Sequence, residues 1–156
     1  MTARHEILIV EDNHENAEVL RDLVQSMDFG CRVVTTLEEV RACLESGFLP
    51  CGVLQDVQIP HAAGARPHEK AGESSIALVR ARSRGAMRVP IVVLTAFRSE
   101  PELVWRMAEL EADFFLEKTK IGALPDKLAA YLARNGRACH GDCERANLES
   151  QPAPAA

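Results

Sequence analysis

Four short apolar runs, each closing on a polar residue, constrain this chain more than any other feature. They are Ile7-Leu8-Ile9-Val10 before Glu11-Asp12, Val53-Leu54-Gln55 before Asp56, Ile91-Val92-Val93-Leu94 before Thr95, and Phe114-Phe115-Leu116-Glu117 before Lys118. Runs this short, with helical periodicity between them, read as strands of a parallel sheet buried on both faces. In an open α/β sheet the ligand site lies at the carboxyl ends of the strands. Glu11, Asp12, Asp56, Thr95 and Lys118 are therefore expected to meet at one sheet edge. Three carboxylates, a hydroxyl and an ammonium make a site for Mg²⁺ and a phosphoryl group.

The segments between these runs alternate as helix and strand. Strand 1 is expected from His5 to Val10, and helix 1 from His14 to Met27, with Ala17, Leu20, Val24 and Met27 on one stripe and Gly30 as its stop. Strand 2 covers Cys31 to Thr35. Helix 2 runs from Leu37 towards Ser46 and ends at Gly47, and strand 3 covers Cys51 to Gln55. A loop from Gln58 to about Ala71 precedes helix 3, Glu73 to Arg84. Strand 4 begins after Pro90. Ser99 and Glu102 form a capping-box signature for helix 4, which reaches about Glu109. Strand 5 is Asp113 to Glu117, and helix 5 carries Ile121, Leu124, Leu128 and Leu132 and ends near Asn135-Gly136. Five β-α units give a doubly wound parallel sheet with helices on both faces. The expected division is a folded domain over residues 1–136 and a flexible tail over 137–156, whose end is rich in Pro and Ala.

Composition narrows the functional classes. A length of 156 residues suits one domain with a full core, and 47% hydrophobic with 26% charged residues is ordinary for a globular protein. A net charge of −5 argues against a nucleic-acid-binding surface. There is no long apolar run and no secretory h-region, so no membrane association and a cytoplasmic location are expected. Five cysteines are too few and too odd in number for a disulfide scaffold. Cys31, Cys43 and Cys51 sit in apolar surroundings and read as small buried side chains. Cys139, His140 and Cys143 lack a fourth ligand for structural zinc and read as part of the tail.

Asp56 is the candidate nucleophile, since a carboxylate can attack phosphorus and carry an acyl phosphate. Glu11 and Asp12 leave strand 1 beside it and can supply oxygen ligands to Mg²⁺. Without a cation these carboxylates would repel one another. Lys118 offers a point charge to a phosphate oxygen and Thr95 a hydroxyl donor. Catalysis of this kind is mostly positioning and electrostatics.

At these residues the sequence resembles the receiver (CheY-like) domain of two-component response regulators. Ile7-Leu8-Ile9-Val10-Glu11-Asp12-Asn13 is similar to the family's opening strand and acidic pair. Asp56-Val57-Gln58-Ile59-Pro60 resembles the phosphoacceptor segment, Val93-Leu94-Thr95-Ala96 the hydroxyl strand, and Ala112-Asp113-Phe114-Phe115-Leu116-Glu117-Lys118 the strand that ends on the family lysine. The resemblance covers about residues 5 to 135. It implies a flavodoxin-like fold with strand order 2-1-3-4-5. It also implies that Asp56 takes a phosphoryl group from a sensor histidine kinase or a histidine phosphotransfer protein. Mg²⁺ is then held by Asp12, Asp56 and the backbone carbonyl of Gln58, with Glu11 acting largely through water. The switch pair would be Thr95 and Phe115, with Ala96 leaving room for the ring. Output would pass to a downstream protein through the helix 4, strand 5 and helix 5 face, and a second copy of the chain is a further candidate partner. No output segment follows residue 136, so a single-domain regulator is expected, with no small-molecule turnover of its own.

Two positions depart from the family pattern. Thr119 stands where a proline usually follows the lysine, which leaves the path of that loop, and so the reach of Lys118, open, with Lys120 as an understudy. The second departure is the stretch after Pro60. If Gly72 is the glycine that opens helix 3, residues 61–71 hold an insertion of about eight residues against usual βα connections. It contains His61, Arg66, His68 and Lys70, and it is a solvated excursion, a flap over Asp56 or a source of cationic contacts. Trp105 lies off the Leu103-Met107-Leu110 stripe and is either an exposed partner contact or packed at the helix margin.

Two other functions compete. A haloacid-dehalogenase-type phosphatase also uses Asp, Thr, Lys and Mg²⁺, but it carries a second Asp two residues after the nucleophile, where this chain has Gln58, which cannot transfer a proton in that way. A pseudo-receiver, a binding module without phosphorylation, would not need the complete set of Glu11, Asp12, Asp56, Thr95 and Lys118. Gln58 also stands where it can order or obstruct a water attacking the acyl phosphate.

Overall fold

The computed structural model describes residues 5–83, 88–96 and 101–134. The strands are β1 (Glu6–Val10), β2 (Gly30–Val34), β3 (Gly52–Asp56), β4 (Ile59–Pro60), β5 (Pro67–His68), β6 (Ile91–Thr95) and β7 (Phe114–Glu117). The helices are α1 (His14–Ser26), α2 (Leu37–Glu45), α3 (Glu69–Arg82), α4 (Pro101–Glu109) and α5 (Leu124–Arg134), with a 3-10 segment, Lys118–Ala123, leading into α5. The five longer strands form one parallel sheet in the order β2-β1-β3-β6-β7. With β6 and β7 counted as the fourth and fifth long strands, this is the expected flavodoxin-like order 2-1-3-4-5. The switch point lies between β1 and β3, where a ligand site forms in sheets of this kind.

Strand pleating sorts the apolar runs into two core layers. Leu8, Val10, Val53, Ile91 and Val93 pack with Val40 and Leu44 of α2, Ile76 and Val79 of α3 and Met107 of α4. Ile7, Ile9, Leu54, Val92, Leu94 and Leu116 pack on the other face with Leu20 and Val24 of α1 and Leu124, Leu128 and Leu132 of α5. Because both faces are covered, the strands read as continuous apolar runs rather than as alternating ones.

The helix starts follow local chemistry. The Asn13 side chain accepts from the Asn16 N–H at 3.0 Å and caps α1. Thr36 caps α2 by accepting from the Glu39 N–H at 3.1 Å, and the Glu39 carboxylate accepts in return from the Thr35 N–H at 2.6 Å. The ending of α1 differs from expectation. Asp28 takes the left-handed turn (φ 60°) after Met27, and Gly30 instead opens β2 against the Glu6 side chain.

The larger correction concerns residues 58–72. The expected open loop is a hairpin in which Ile59 pairs with His68 and Pro60 with Pro67. Ile59 and Pro60 are buried, Gly64 turns the tip at φ 82°, and the His61 carbonyl accepts from the Glu38 N–H at 3.1 Å, tying the hairpin to α2. Helix α3 then starts at Glu69, one turn earlier than expected, with His68 Nδ1 capping it by accepting from the Lys70 N–H at 3.0 Å. Gly72 therefore does not open the helix. It lies in the second turn, where a Cβ would run into the Val57 carbonyl oxygen. Further along the chain, Ile121 belongs to the 3-10 segment and not to α5. Ser99 of the capping box, Asn135-Gly136, Cys139, His140, Cys143 and the 137–156 tail lie outside the described residues. Cys43 and Cys51 are buried as expected, and Cys31 is half-buried.

An ionic knot fixes the amino ends of β6 and β7, opposite the switch-point edge. The Asp113 carboxylate accepts from Arg80 Nη2 at 2.7 Å, Arg88 Nη1 at 2.6 Å, the Ile91 N–H at 2.7 Å and the Tyr131 hydroxyl at 2.9 Å. Arg80 is buried, and it also donates to the carbonyls of Val89 and Glu111. Removing one partner of a buried pair strands the other charge, so Asp113→Ala should cost about 3–5 kcal/mol in urea unfolding. Gly72→Ala should cost about 1–3 kcal/mol or more, because α3 would have to lift from Val57. Gly122→Ala, where an added Cβ meets nothing within 4 Å, should leave stability within about 0.5 kcal/mol of the parent in the same measurement.

Candidate functional site

The carboxyl ends of β1, β3, β6 and β7 converge on an open cavity of about 550 Å³. Glu11, Asp12, Asp56, Gln58, Thr95, Ala96 and Lys118 line it, so every metal, catalytic and hydroxyl position expected from the sequence reaches one place. Parallel register explains this. Asp56 ends β3 opposite Leu94, and Thr95 ends β6 opposite Glu117, which leaves Lys118 to project from the last strand end.

Glu11 is only 1% exposed, and both its oxygens are engaged. Oε2 accepts from Lys118 Nζ at 2.7 Å and Oε1 from the Asn13 N–H at 3.0 Å. Lys118 Nζ also lies 3.4 Å from Asp56 Oδ1. Lys118 thus reaches the cluster itself with Thr119 behind it, while Lys120 is exposed. Oxygens of Glu11, Asp12 and Asp56 all lie within 4.8 Å of one another.

This crowding sets the charge states. Burial, then the neighbouring Glu11 carboxylate, pushes Asp56 up to about 7, against the opposing pull of Lys118. Burial and Glu11 also raise Asp12. Burial pulls Lys118 down, but its bond to Glu11 and the charge of Asp56 outweigh that and hold it above the ordinary lysine value. One ammonium facing three carboxylates leaves an excess of negative charge in a half-enclosed space. The set fits a hard divalent cation, with all-oxygen donors and a repulsion that the ion relieves.

Thr95 is 5% exposed at the end of β6, and Ala96 beside it is exposed at the cavity wall. Phe115 is half-buried and packs against the layer under α2, α3 and α4. The hairpin contributes differently from expectation. His61, Arg66, His68 and Lys70 are exposed, and His68 is spent on the cap. What this segment adds to the cavity wall is Pro67 and Glu69, one apolar surface and one acid. Glu69 pairs with Arg106 of α4 at 2.9 Å, and Arg106 also pairs with Glu73 at 2.9 Å. Trp105, next to Arg106, is 73% exposed and so is not packed at the helix margin.

Sequence reasoning passed over Asn13, Asn16, Glu69 and Leu103 in the lining. Asn13 carried a usable signal, since an Asn before a helical stripe reads as a cap. Glu69 and Leu103 carried none, because their place depends on where α3 begins and how α4 docks. No described helix is long and apolar enough to cross a membrane.

No protein-family model matches the chain, and no curated protein matches it. Solved structures do. The signal receiver domain of a putative Luxo repressor protein from Vibrio parahaemolyticus is 20% identical, with a TM-score of 0.67 over 85% of this chain and 92% of that one. A two-component response regulator from Clostridium difficile is 18% identical, with a TM-score of 0.69 over 84% and 98% of the two chains. A CheY-like receiver domain from Methylobacillus flagellatus is 22% identical, with a TM-score of 0.63 over 82% and 98%. Likeness at such identities is a likeness of fold: the chain has the CheY-like receiver fold of response regulators.

Proposed function

We propose that the protein is a response-regulator receiver that accepts a phosphoryl group on Asp56 and signals through protein contacts. The observation that carries this reading is the placement of the Asp56 carboxylate within 4.8 Å of Glu11 and Asp12 oxygens and 3.4 Å from Lys118 Nζ. The donor would be a phosphohistidine on a sensor kinase or phosphotransfer protein. An Asp56 oxygen attacks phosphorus and forms the O–P bond as the donor's N–P bond breaks, and the leaving imidazole keeps that bonding pair. Lys118 neutralises a phosphoryl oxygen, and the Thr95 hydroxyl donates to another. Asp12, Asp56 and the Gln58 carbonyl would hold Mg²⁺, with Glu11 acting through water since both its oxygens are engaged in the protein. The ion supplies charge neutralisation at the transferring group. No separate small-molecule turnover is proposed, and Gln58 in place of a second acid speaks against a phosphatase of the haloacid-dehalogenase type.

The output reading follows from the same geometry. Thr95 drawn towards the phosphoryl group would vacate space beside Ala96, and Phe115 would turn into it. The α4-β7-α5 face, which carries the exposed Trp105, would present the change to a downstream protein.

Incubation with acetyl phosphate and Mg²⁺, read by intact mass, should add one phosphoryl group to the wild type and none to Asp56→Ala or to wild type without the metal. No adduct on a folded wild type, together with no beryllofluoride binding, would leave a pseudo-receiver in its place.

The raised Asp56 pKa gives the sign of the pH dependence. Between about 4 and 7 the folded protein holds a proton that the unfolded chain has released. This group's contribution to stability therefore falls as pH rises through that window and is lowest above 7. Mg²⁺ competes with the same proton, so its affinity should tighten by up to about tenfold per pH unit below 7 and level off above. Thermal denaturation at pH 6 and pH 8, with and without Mg²⁺, should show the larger metal-induced stabilisation at pH 8.

A further inference from the structure

Gln55 departs from the pattern of the core. Val53 and Val57 both belong to the apolar layer under α2, α3 and α4, and strand alternation puts Gln55 between them on the same face. It is completely buried, as is Ser75 of α3. The Ser75 hydroxyl donates to Gln55 Oε1 at 2.6 Å, and Gln55 Nε2 donates to the Asp56 carbonyl at 2.9 Å. Gly72, one turn earlier on α3, lies directly on the Val57 carbonyl. Helix α3 thus abuts the Val57 carbonyl at Gly72 and holds the Asp56 carbonyl through a two-bond relay.

A buried amide–hydroxyl pair in an apolar layer brings little stability over an apolar pair of the same shape. What it brings is direction. Ser75 holds the Oε1 end of the amide, so the Nε2 end points at the Asp56 carbonyl. That carbonyl belongs to the backbone that carries the nucleophile and leads to Gln58. We infer that Ser75 and Gln55 are positioning residues for Asp56, transmitting the placement of α3 to the phosphoacceptor backbone. Helix α3 is in turn bridged to α4 through Arg106 and its pairs with Glu69 and Glu73, so a line of direct contacts runs from α4 to Asp56. The chemical consequence rests on the phosphoryl-accepting reading above; the backbone consequence does not.

The test uses Gln55→Met, Ser75→Ala, their double variant and Ser75→Thr, which keeps the hydroxyl. Three quantities are measured: the melting temperature, the initial rate of acetyl phosphate labelling with Mg²⁺, and the carbonyl ¹³C resonance of Asp56. Gln55→Met and Ser75→Ala should each slow labelling by about tenfold or more, as small displacements of reacting groups do. The double variant should be no slower than the slower single one and should melt within a few degrees of wild type, and Ser75→Thr should recover most of the rate. The Asp56 carbonyl resonance should move in both single variants. Wild-type labelling in the folded double variant, or a loss that merely follows the unfolded fraction, overturns the inference. If Gln55→Met fails to fold, Ser75→Ala carries the same comparison. If the wild type itself takes no phosphoryl group, the functional reading fails on its own; the carbonyl resonance then decides the relay, sustained if Ser75→Ala moves it and refuted if it does not.

Discussion

Lys118 reaches from the last strand to Glu11 at the end of the first, and the carboxyl edge of the sheet depends on that 2.7 Å contact. Two strands, β3 and β6, separate β7 from β1, so backbone hydrogen bonds cannot join them. Only a long side chain spans the gap. Glu11 is almost fully enclosed, and a buried carboxylate is tolerable when a cation and hydrogen bonds meet it. The same ammonium stands beside Asp56, so one group stabilises the fold and polarises the candidate nucleophile. It cannot neutralise three acids. Burial first, and then the neighbouring Glu11 carboxylate, pushes Asp56 up to about 7, and the surplus negative charge makes the edge suit a divalent ion.

The two ends of the sheet are built on opposite principles. At the amino ends of β6 and β7, both Asp113 oxygens are met by donors from Arg80, Arg88, the Tyr131 hydroxyl and a backbone N–H, so the carboxylate is fully satisfied within the protein. At the carboxyl ends the charges are left unbalanced around an open cavity. A cluster whose acid is fully satisfied anchors α3 and α5 to the strands. An unbalanced one stores affinity for a ligand at the expense of local stability, the pattern expected of a functional edge. Keeping the two apart lets the anchoring end hold the sheet while the other end carries the uncompensated charge.

The hairpin after β3 changes the character of the site's wall. By pairing Ile59-Pro60 with Pro67-His68 it lets α3 begin at Glu69 and brings Gly72 down onto Val57. Around Asp56 this leaves a hydrogen-bonded link from Ser75 through Gln55 beneath it, and an acid, Glu69, bridged to α4 at the rim. The cationic residues of the hairpin face solvent and take no part in the lining.

The sequence by itself determined the parallel sheet and the meeting of Glu11, Asp12, Asp56, Thr95 and Lys118 at one edge, while the strand order was only what the family resemblance implied. Short continuous apolar runs suit strands buried on both faces of a parallel sheet, and their polar ends then share one edge. Capping by Asn13 and Thr36 was equally local. Tertiary structure alone decided the rest. Nothing in His61–Lys70 announces a hairpin, because a two-residue strand pair is held by what it packs on rather than by its own propensity. The start of α3 followed from that pairing, and with it the places of Gly72 and Glu69. Asp113 reads as a strand-opening residue until Arg80, 33 positions away, folds back upon it. Gln55 reads as the polar end of a strand, and only the approach of α3 turns it into a buried link. Each of these depends on which long-range neighbour arrives, and contacts between segments distant along the chain are not written in local periodicity.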